Sequence, residues 1–181
     1  MKRAEVEKMR KRALACLRRA GIVLTAAEKA GMEVADFGLG MVEKFGLELV
    51  VYENNDLYCA KELVLLPRQT CPEHHHPARA GGRPGKQETF RCRYGEVYLY
   101  VPGEPAAKPR ARIDPEYQRH FTVWHEVRLR PGDQYTLPQD TLHWFQAGYK
   151  GAVVSEFSST STDESDAYTW PEIKRLPLVE D

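Results

Sequence analysis

His74, His75 and His76 stand in a row between Pro72 and Pro77. Alternate side chains of a strand share a face, so His74 and His76 point together and His75 points away. Two imidazoles on one face with a carboxylate downstream form a metal-ligand pattern, because imidazole nitrogen and carboxylate oxygen are donors that divalent first-row ions accept. Glu88 supplies the carboxylate, and His143 on a later segment is a fourth donor. Three histidines and one glutamate leave coordination positions open to water or substrate, as a catalytic centre does and a structural one does not. A surface polyhistidine loop would carry the same triplet. Its central place in the chain and its flanking prolines argue against an appended tag.

The elements around these residues change character along the chain. Val6, Met9, Leu14, Leu17 and Ile22 recur at helical spacing among charges, and Gly21 ends this first helix. Thr25 with Glu28 makes a capping-box pattern for a second short helix that ends at Gly31. From Leu47 the period becomes that of strands. LELVVYE (47–53) and LYCAKELVLLP (57–67) flank an Asn-Asn-Asp turn, and QETFRCRYGEVYLYV (87–101) carries Gly95 as a tight turn or bulge. TVWHEVRLR, QYTLP, HWFQAG and AVVSEFSS continue as short strands. Many short strands with Gly and Pro turns imply a sandwich or barrel. We expect one domain overall: a helical segment (1–46) packing on a β-barrel (47–160), then a polar tail (161–181).

Spacing sharpens this reading. Six residues separate Glu88 from Gly95, five separate Gly132 from Pro138, and His143 follows five positions on. HHHPARAGGRPGKQETFRCRYG (74–95) and GDQYTLPQDTLHWFQA (132–147) resemble the paired motifs of the cupin superfamily, HxH…E(x)6G and G(x)5PxG(x)2H(x)3N. A Gly-rich loop (77–87) lengthens the first motif, Asp140 replaces a glycine and Ala147 an asparagine; no ligand is lost. CAKELVLLPRQTCPEHHHP, GKQETFRCRYGEVYLYVPGE, PGDQYTLPQDTLHWFQAG and GAVVSEFSSTSTDESD together are similar to the D-lyxose ketol-isomerase family of cupin sugar isomerases, over roughly residues 35–170. The resemblance implies a mainly β fold, a cupin jelly-roll barrel preceded by N-terminal α-helices, usually dimeric. It implies a divalent metal, often manganese, on His74, His76, Glu88 and His143; the donor set by itself also suits iron, cobalt, nickel or zinc. It implies interconversion of D-lyxose with D-xylulose, and places Lys61 and Glu156 among active-site polar groups.

Chemistry supports the same cast. Aldose–ketose isomerisation moves a proton between C1 and C2 through an enediolate, which a cation on the two oxygens stabilises and which needs a base. Glu156 shares a strand face with Val154 and Ser158, and burial in an apolar barrel would push its pKa up toward that of a useful base. Lys61 shares a face with Leu63 and Leu65, so its ammonium either snorkels or enters a polar cavity, there to bind a substrate oxygen or transfer a proton. Tyr98, Trp144 and Phe145 are candidates to line a sugar site. Phe145 shares the face of His143 and is the substrate-contact candidate, while Trp144 should face outward, against a second subunit. Asp163, Glu164 and Asp166 read as a solvated tail or as a segment closing over the barrel mouth, where Asp166 would bind sugar hydroxyls. His120 reads as a loop residue and His125 as a strand-surface one.

Composition bounds the partners. The 181 residues hold 26 basic and 26 acidic side chains, a formal charge of zero. A dedicated nucleic-acid or membrane-surface binder carries a basic surplus. The N-terminus alternates charges where a signal peptide needs an apolar core, so we expect a cytoplasmic protein whose partners are a small sugar and a second copy of itself. Cys16, Cys59, Cys71 and Cys92 form no CxxC pair and read as reduced, buried residues, with Cys71 nearest the histidines. The basic N-terminal helix and the acidic C-terminal end could attract each other. Arg79, Arg83, Lys86, Arg91 and Arg93 leave a phosphosugar substrate open. A non-catalytic sugar-binding cupin and an iron cupin dioxygenase are the alternative classes.

Overall fold

The computed structural model describes residues 1–175. Helix α1 (Arg3–Arg19) lays Val6, Met9, Ala13, Cys16 and Leu17 along one buried stripe. Helix α2 (Ala26–Gly31) opens on the expected capping box: Glu28 N–H donates to Thr25 Oγ1, and Thr25 N–H donates to the Glu28 carboxylate. Among the described residues nine strands follow: β1 (Glu33–Ala35), β2 (Leu47–Asn54), β3 (Cys59–Leu65), β4 (Thr70–His75), β5 (Glu88–Val101), β6 (His125–Leu129), β7 (Gln134–Leu137), β8 (His143–Ser158) and β9 (Ala167–Tyr168). All pairings between them are antiparallel, in the order β1-β2-β3-β8-β4-β9, with β5 pairing β6, β7 and β8. The fold is therefore mainly β with helices at the N-terminus.

The two long strands curl the sheet. HWFQAG and AVVSEFSS, two strands in the sequence pattern, join into β8, which pairs β4 through its first residues and β3 through its last. Strand β5 follows β8 along both halves and slips register between Cys92 and Tyr94 and between Gly95 and Val97. Gly95 sits at φ 72° and Gly151 at φ 78°, and a Cβ on Gly95 would meet Gly151 O at 1.9 Å. A bulge and a glycine where two backbones touch are what let a flat ladder bend into a barrel.

Three apolar clusters stabilise this shape. Leu49, Leu63, Leu65, Phe90, Leu99, Phe145 and Val154 fill the barrel. The buried stripe of α1 covers Val50, Val64 and Val153 on the outside. A third cluster packs Phe45, Tyr98, Tyr100, Phe121, Trp144 and Trp170 beneath the 102–124 connection. This corrects the expectation for Trp144. It does face outward from the barrel, but the chain's own loop covers it: Trp144 is fully buried, stacked 4.0 Å from Tyr100 and edge-on to Phe121. His120 is likewise stacked on Trp170 at 4.2 Å. In the charged helix, Lys8 and Arg12 pair with Glu43. Glu180 and Asp181, part of the acidic end expected to attract this helix, lie outside the described residues.

Glu48 is a liability beneath α1. It is fully buried; Gln69 donates to one oxygen at 3.0 Å and the other has no partner. Burial raises its pKa from 4.5 to about 8. Between those values the unfolded chain is ionised while the folded one must hold a proton, so stability falls as pH rises through this window. Glu48→Gln removes the penalty and keeps the acceptor for Gln69. At pH 8 it should stabilise the fold by on the order of 3 kcal/mol and flatten the pH dependence of Tm. Equal melting points for variant and wild type at pH 8 would contradict this.

Candidate metal centre and active site

Strand β4 delivers the histidines. His74 pairs across the ladder with His143 of β8 on one side and with Tyr168 of β9 on the other. The rings of His74 and His143 are 4.3 Å apart, those of His76 and His143 5.4 Å, and Tyr168 stacks on His74. His75 turns away to Asp140, at 2.5 Å. The alternation read from the sequence thus holds to the end of the strand.

Outer partners fix the ring orientations. His74 Nδ1 donates to Pro72 O and His143 Nδ1 to Thr141 O, each at 2.8 Å. A carbonyl can only accept, so each Nδ1 carries the proton and each Nε2 presents a lone pair. His76 Nδ1 is held by Asp166 Oδ1 at 2.5 Å. One donor atom from each of the three buried histidines lies within 4.8 Å of the others, a group that could hold a metal ion. His143 Nε2 makes no hydrogen bond of good geometry, although Glu88 Oε1 is 3.0 Å away. That oxygen is also 3.1 Å from His76 Nε2. Inward lone pairs, backed by carbonyls and a carboxylate and meeting a buried acid, are the donor set and outer shell of a divalent-metal site. Burial, with His143 and His76 beside it, lowers the pKa of His74. For His76 burial works the same way, but Glu88 and Asp166 outweigh it and raise its pKa to about 9.

A charged wall faces the histidines across one cavity. Glu156 is buried, and its Oε1 lies 3.1 Å from Lys86 Nζ and 4.0 Å from Lys61 Nζ. Lys86 also reaches Glu88 Oε2 at 2.7 Å. The sequence argument set Glu156 among apolar side chains; the barrel instead meets the buried carboxylate with two ammonium groups. Lys61 is buried and does enter the polar cavity rather than snorkel. Phe145 lines the cavity, stacked parallel to His143, while Tyr98 packs in the outer aromatic cluster. Cys71 lines the wall too, its thiol pKa pushed up by burial; among the described residues it is outside the metal group.

Of the two readings of the C-terminal segment, a solvated tail or a closure over the barrel mouth, the geometry fits the second: Asp163, Asp166, Tyr168 and Arg175 all line the cavity. Asp163 Oδ2 is 2.6 Å from Lys61 and 3.3 Å from Arg175, which also pairs with Glu33. Burial opposes the charge on Asp163, yet Lys86, Lys61 and Arg175 hold its carboxyl far below the usual range. Nothing local foretells these contacts, since they span about a hundred residues. Lys86 did carry a signal. It stands two residues before Glu88, which on an extended chain is the same face.

This fold and site define a class. The barrel superposes on the L-ribose isomerase of Acinetobacter sp. DL28 with a TM-score of 0.79 at 14% identity, covering 99% of this chain and 98% of that one. It is thus a cupin-like barrel of the kind found in sugar isomerases. The family model described as D-lyxose isomerase matches residues 104–181. A D-lyxose ketol-isomerase of Thermofilum sp. is 62% identical over 174 residues, 96% of each chain. A D-lyxose/D-mannose isomerase of Thermosediminibacter oceani is 57% identical over 181 residues, 100% of this chain and 99% of its own. The chain belongs to the D-lyxose ketol-isomerase family and is an aldose–ketose isomerase.

Proposed function

We propose that this enzyme interconverts D-lyxose and D-xylulose by moving one proton between C1 and C2. The observation that carries the reading is that Glu156, a buried carboxylate, opens on one cavity with His74 and His76, whose donor atoms group with that of His143. His74, His76, His143 and Glu88 would hold a divalent cation, manganese in our reading, with iron, cobalt, nickel or zinc fitting the same donors. Such an ion supplies polarisation of the sugar carbonyl and stabilisation of developing negative charge.

The chain's own residues do the rest. Glu156 is the base: it takes the C2 proton of the aldose and returns it to C1 of the enediolate, while the O2 hydroxyl proton passes to O1, so that carbonyl and hydroxyl change places. Lys61 binds a sugar oxygen and stabilises charge there. Phe145 gives the sugar's carbon face an apolar wall. Asp166, read from the sequence as a hydroxyl-binding acid, is spent on His76 in this geometry, so we assign it to orienting that ligand. Related free sugars fit the reading, D-mannose among them, because it shares the C2–C4 configuration of D-lyxose and a close relative is named for both.

Phosphosugars fit less well. Lys61, Lys86 and Arg175, the cations that line the cavity, already face Asp163, Glu156, Glu88 and Glu33. We also infer a cytoplasmic homodimer. Val51, Tyr52, Leu57, Tyr58 and Phe157 leave exposed apolar surface around the β2–β3 hairpin. No helix among the described residues is long and apolar enough to cross a membrane. Incubating the purified protein and manganese with D-lyxose should yield ketose without oxygen uptake. Binding without turnover would favour a sugar-binding cupin, and oxygen consumption an iron dioxygenase.

A further inference from the structure

Four charged side chains close a ring on the cavity wall. Glu156 Oε1 is 3.1 Å from Lys86 Nζ and 4.0 Å from Lys61 Nζ. Asp163 Oδ2 is 2.6 Å from Lys61 Nζ, and Asp163 Oδ1 is 3.7 Å from Lys86 Nζ. Charge alternates around the ring. Lys61 comes from β3, Glu156 from β8 and Lys86 from the approach to β5, all parts of the barrel. Asp163 arrives from the C-terminal segment and is held from behind. The side chain of Asn54 exchanges two hydrogen bonds with the backbone of Ser161, each 3.0 Å, and Arg175 supports the outer edge of the carboxylate at 3.3 Å. Ser161 Oγ accepts from Lys61 at 2.9 Å.

The distances are unequal in an informative way. Lys61 sits against Asp163 and stands off from Glu156. With Asp163 uncharged, Lys86 would keep Glu88 and Glu156 as partners, Glu156 would be the carboxylate within reach of Lys61, and opposite charges in a buried site draw together. A carboxylate clamped by both lysines is a poor proton acceptor. We propose that Asp163 is a positioning residue for the isomerisation: it draws Lys61 off Glu156, so that the base is held by Lys86 and not by both lysines, and the Lys61 ammonium stays aimed at the sugar. This rests on the isomerase reading above and adds a residue to it. Asp163 acts through Lys61 and Lys86 and is assigned no contact with the reacting carbons.

The test is steady-state kinetics on D-lyxose with the manganese-loaded enzyme. Asp163→Asn keeps an acceptor for Ser161 and Lys61 but removes the charge. It should lower kcat about 10- to 100-fold, the cost of ångström-scale misplacement of a reacting group. KM should rise by a smaller factor than kcat falls, because Lys61 is one of several groups that face the sugar, whereas a collapsed sugar site would raise KM at least as much. Asp163→Glu restores the charge and should bring kcat back to within about fivefold of wild type. If the asparagine variant does not fold, Asp163→Ser serves in the same comparison. An activity-independent arm follows Tm in the cycle of Lys61→Met, Asp163→Asn and the double variant, where the losses should be markedly less than additive. Additive losses, or a kcat for Asp163→Asn equal to wild type, would overturn the positioning role and leave the isomerase reading intact. A wild-type enzyme silent on every sugar would instead overturn the isomerase reading, and the positioning role with it.

Discussion

Glu156→Gln should lower kcat on D-lyxose by about a thousandfold or more, in the range that a positioned general base contributes. The replacement keeps the shape of the side chain and an oxygen for Lys86, which lies 3.1 Å from Glu156 Oε1. It removes the capacity to accept a proton. Because Glu156 is outside the histidine group, bound metal should stay at the wild-type level. Solvent exchange of the C2 hydrogen, followed by NMR in deuterium oxide, should vanish together with ketose formation. A variant that keeps activity within about tenfold of wild type would take Glu156 out of the base role.

His143→Gln should strip the centre. His143 Nε2 is one of three inward donors and has no well-formed hydrogen bond of its own, so the substitution breaks the donor set, together with the Nδ1 bond to Thr141 O. We expect metal content to fall below a tenth of wild type after dialysis, with turnover lost in parallel. Treating the wild-type enzyme with a chelator should do the same, and restored metal should rescue wild type but not the variant. Asp166→Asn should give a graded effect, weakening metal affinity about 10- to 100-fold, as loss of a carboxylate behind a ligating histidine does elsewhere. Atomic-emission analysis beside activity separates these outcomes. Full turnover in a metal-free preparation would remove the metal from the chemistry.

The residues that made the centre legible were those whose spacing matched a local period. On an extended chain His74 and His76 must share a face whatever else the fold does, and the same alternation placed Lys61 with Leu63 and Leu65, and Glu156 with Val154. The capping box at Thr25 was equally local. Lys86 was within reach of that reasoning. It was grouped instead with the loop arginines, because its charge was counted and its two-residue offset from Glu88 was not.

For Trp144 and the C-terminal segment no local period decides between the alternatives. A large aromatic on the outer face of a strand can be covered by a partner or by the chain's own loop, and no periodicity distinguishes the two. Here the 102–124 connection returns over Tyr100 and Trp144 and buries them. Asp163, Tyr168 and Arg175 lie in a stretch rich in serine, threonine and acids, whose composition is that of a solvated segment. They enter the cavity because β9 pairs with β4 and Trp170 docks beside Phe45.

By itself, then, the sequence determined the strand faces, the helix caps and the donors that could meet at a metal, since each follows from the geometry of neighbouring residues. Only the tertiary structure decided the electrostatics of Glu156, the carboxylate we propose as base. The charge that surrounds Glu156 comes from β3, from the approach to β5 and from the C-terminal segment, and Coulomb interaction depends on distance through space rather than along the chain.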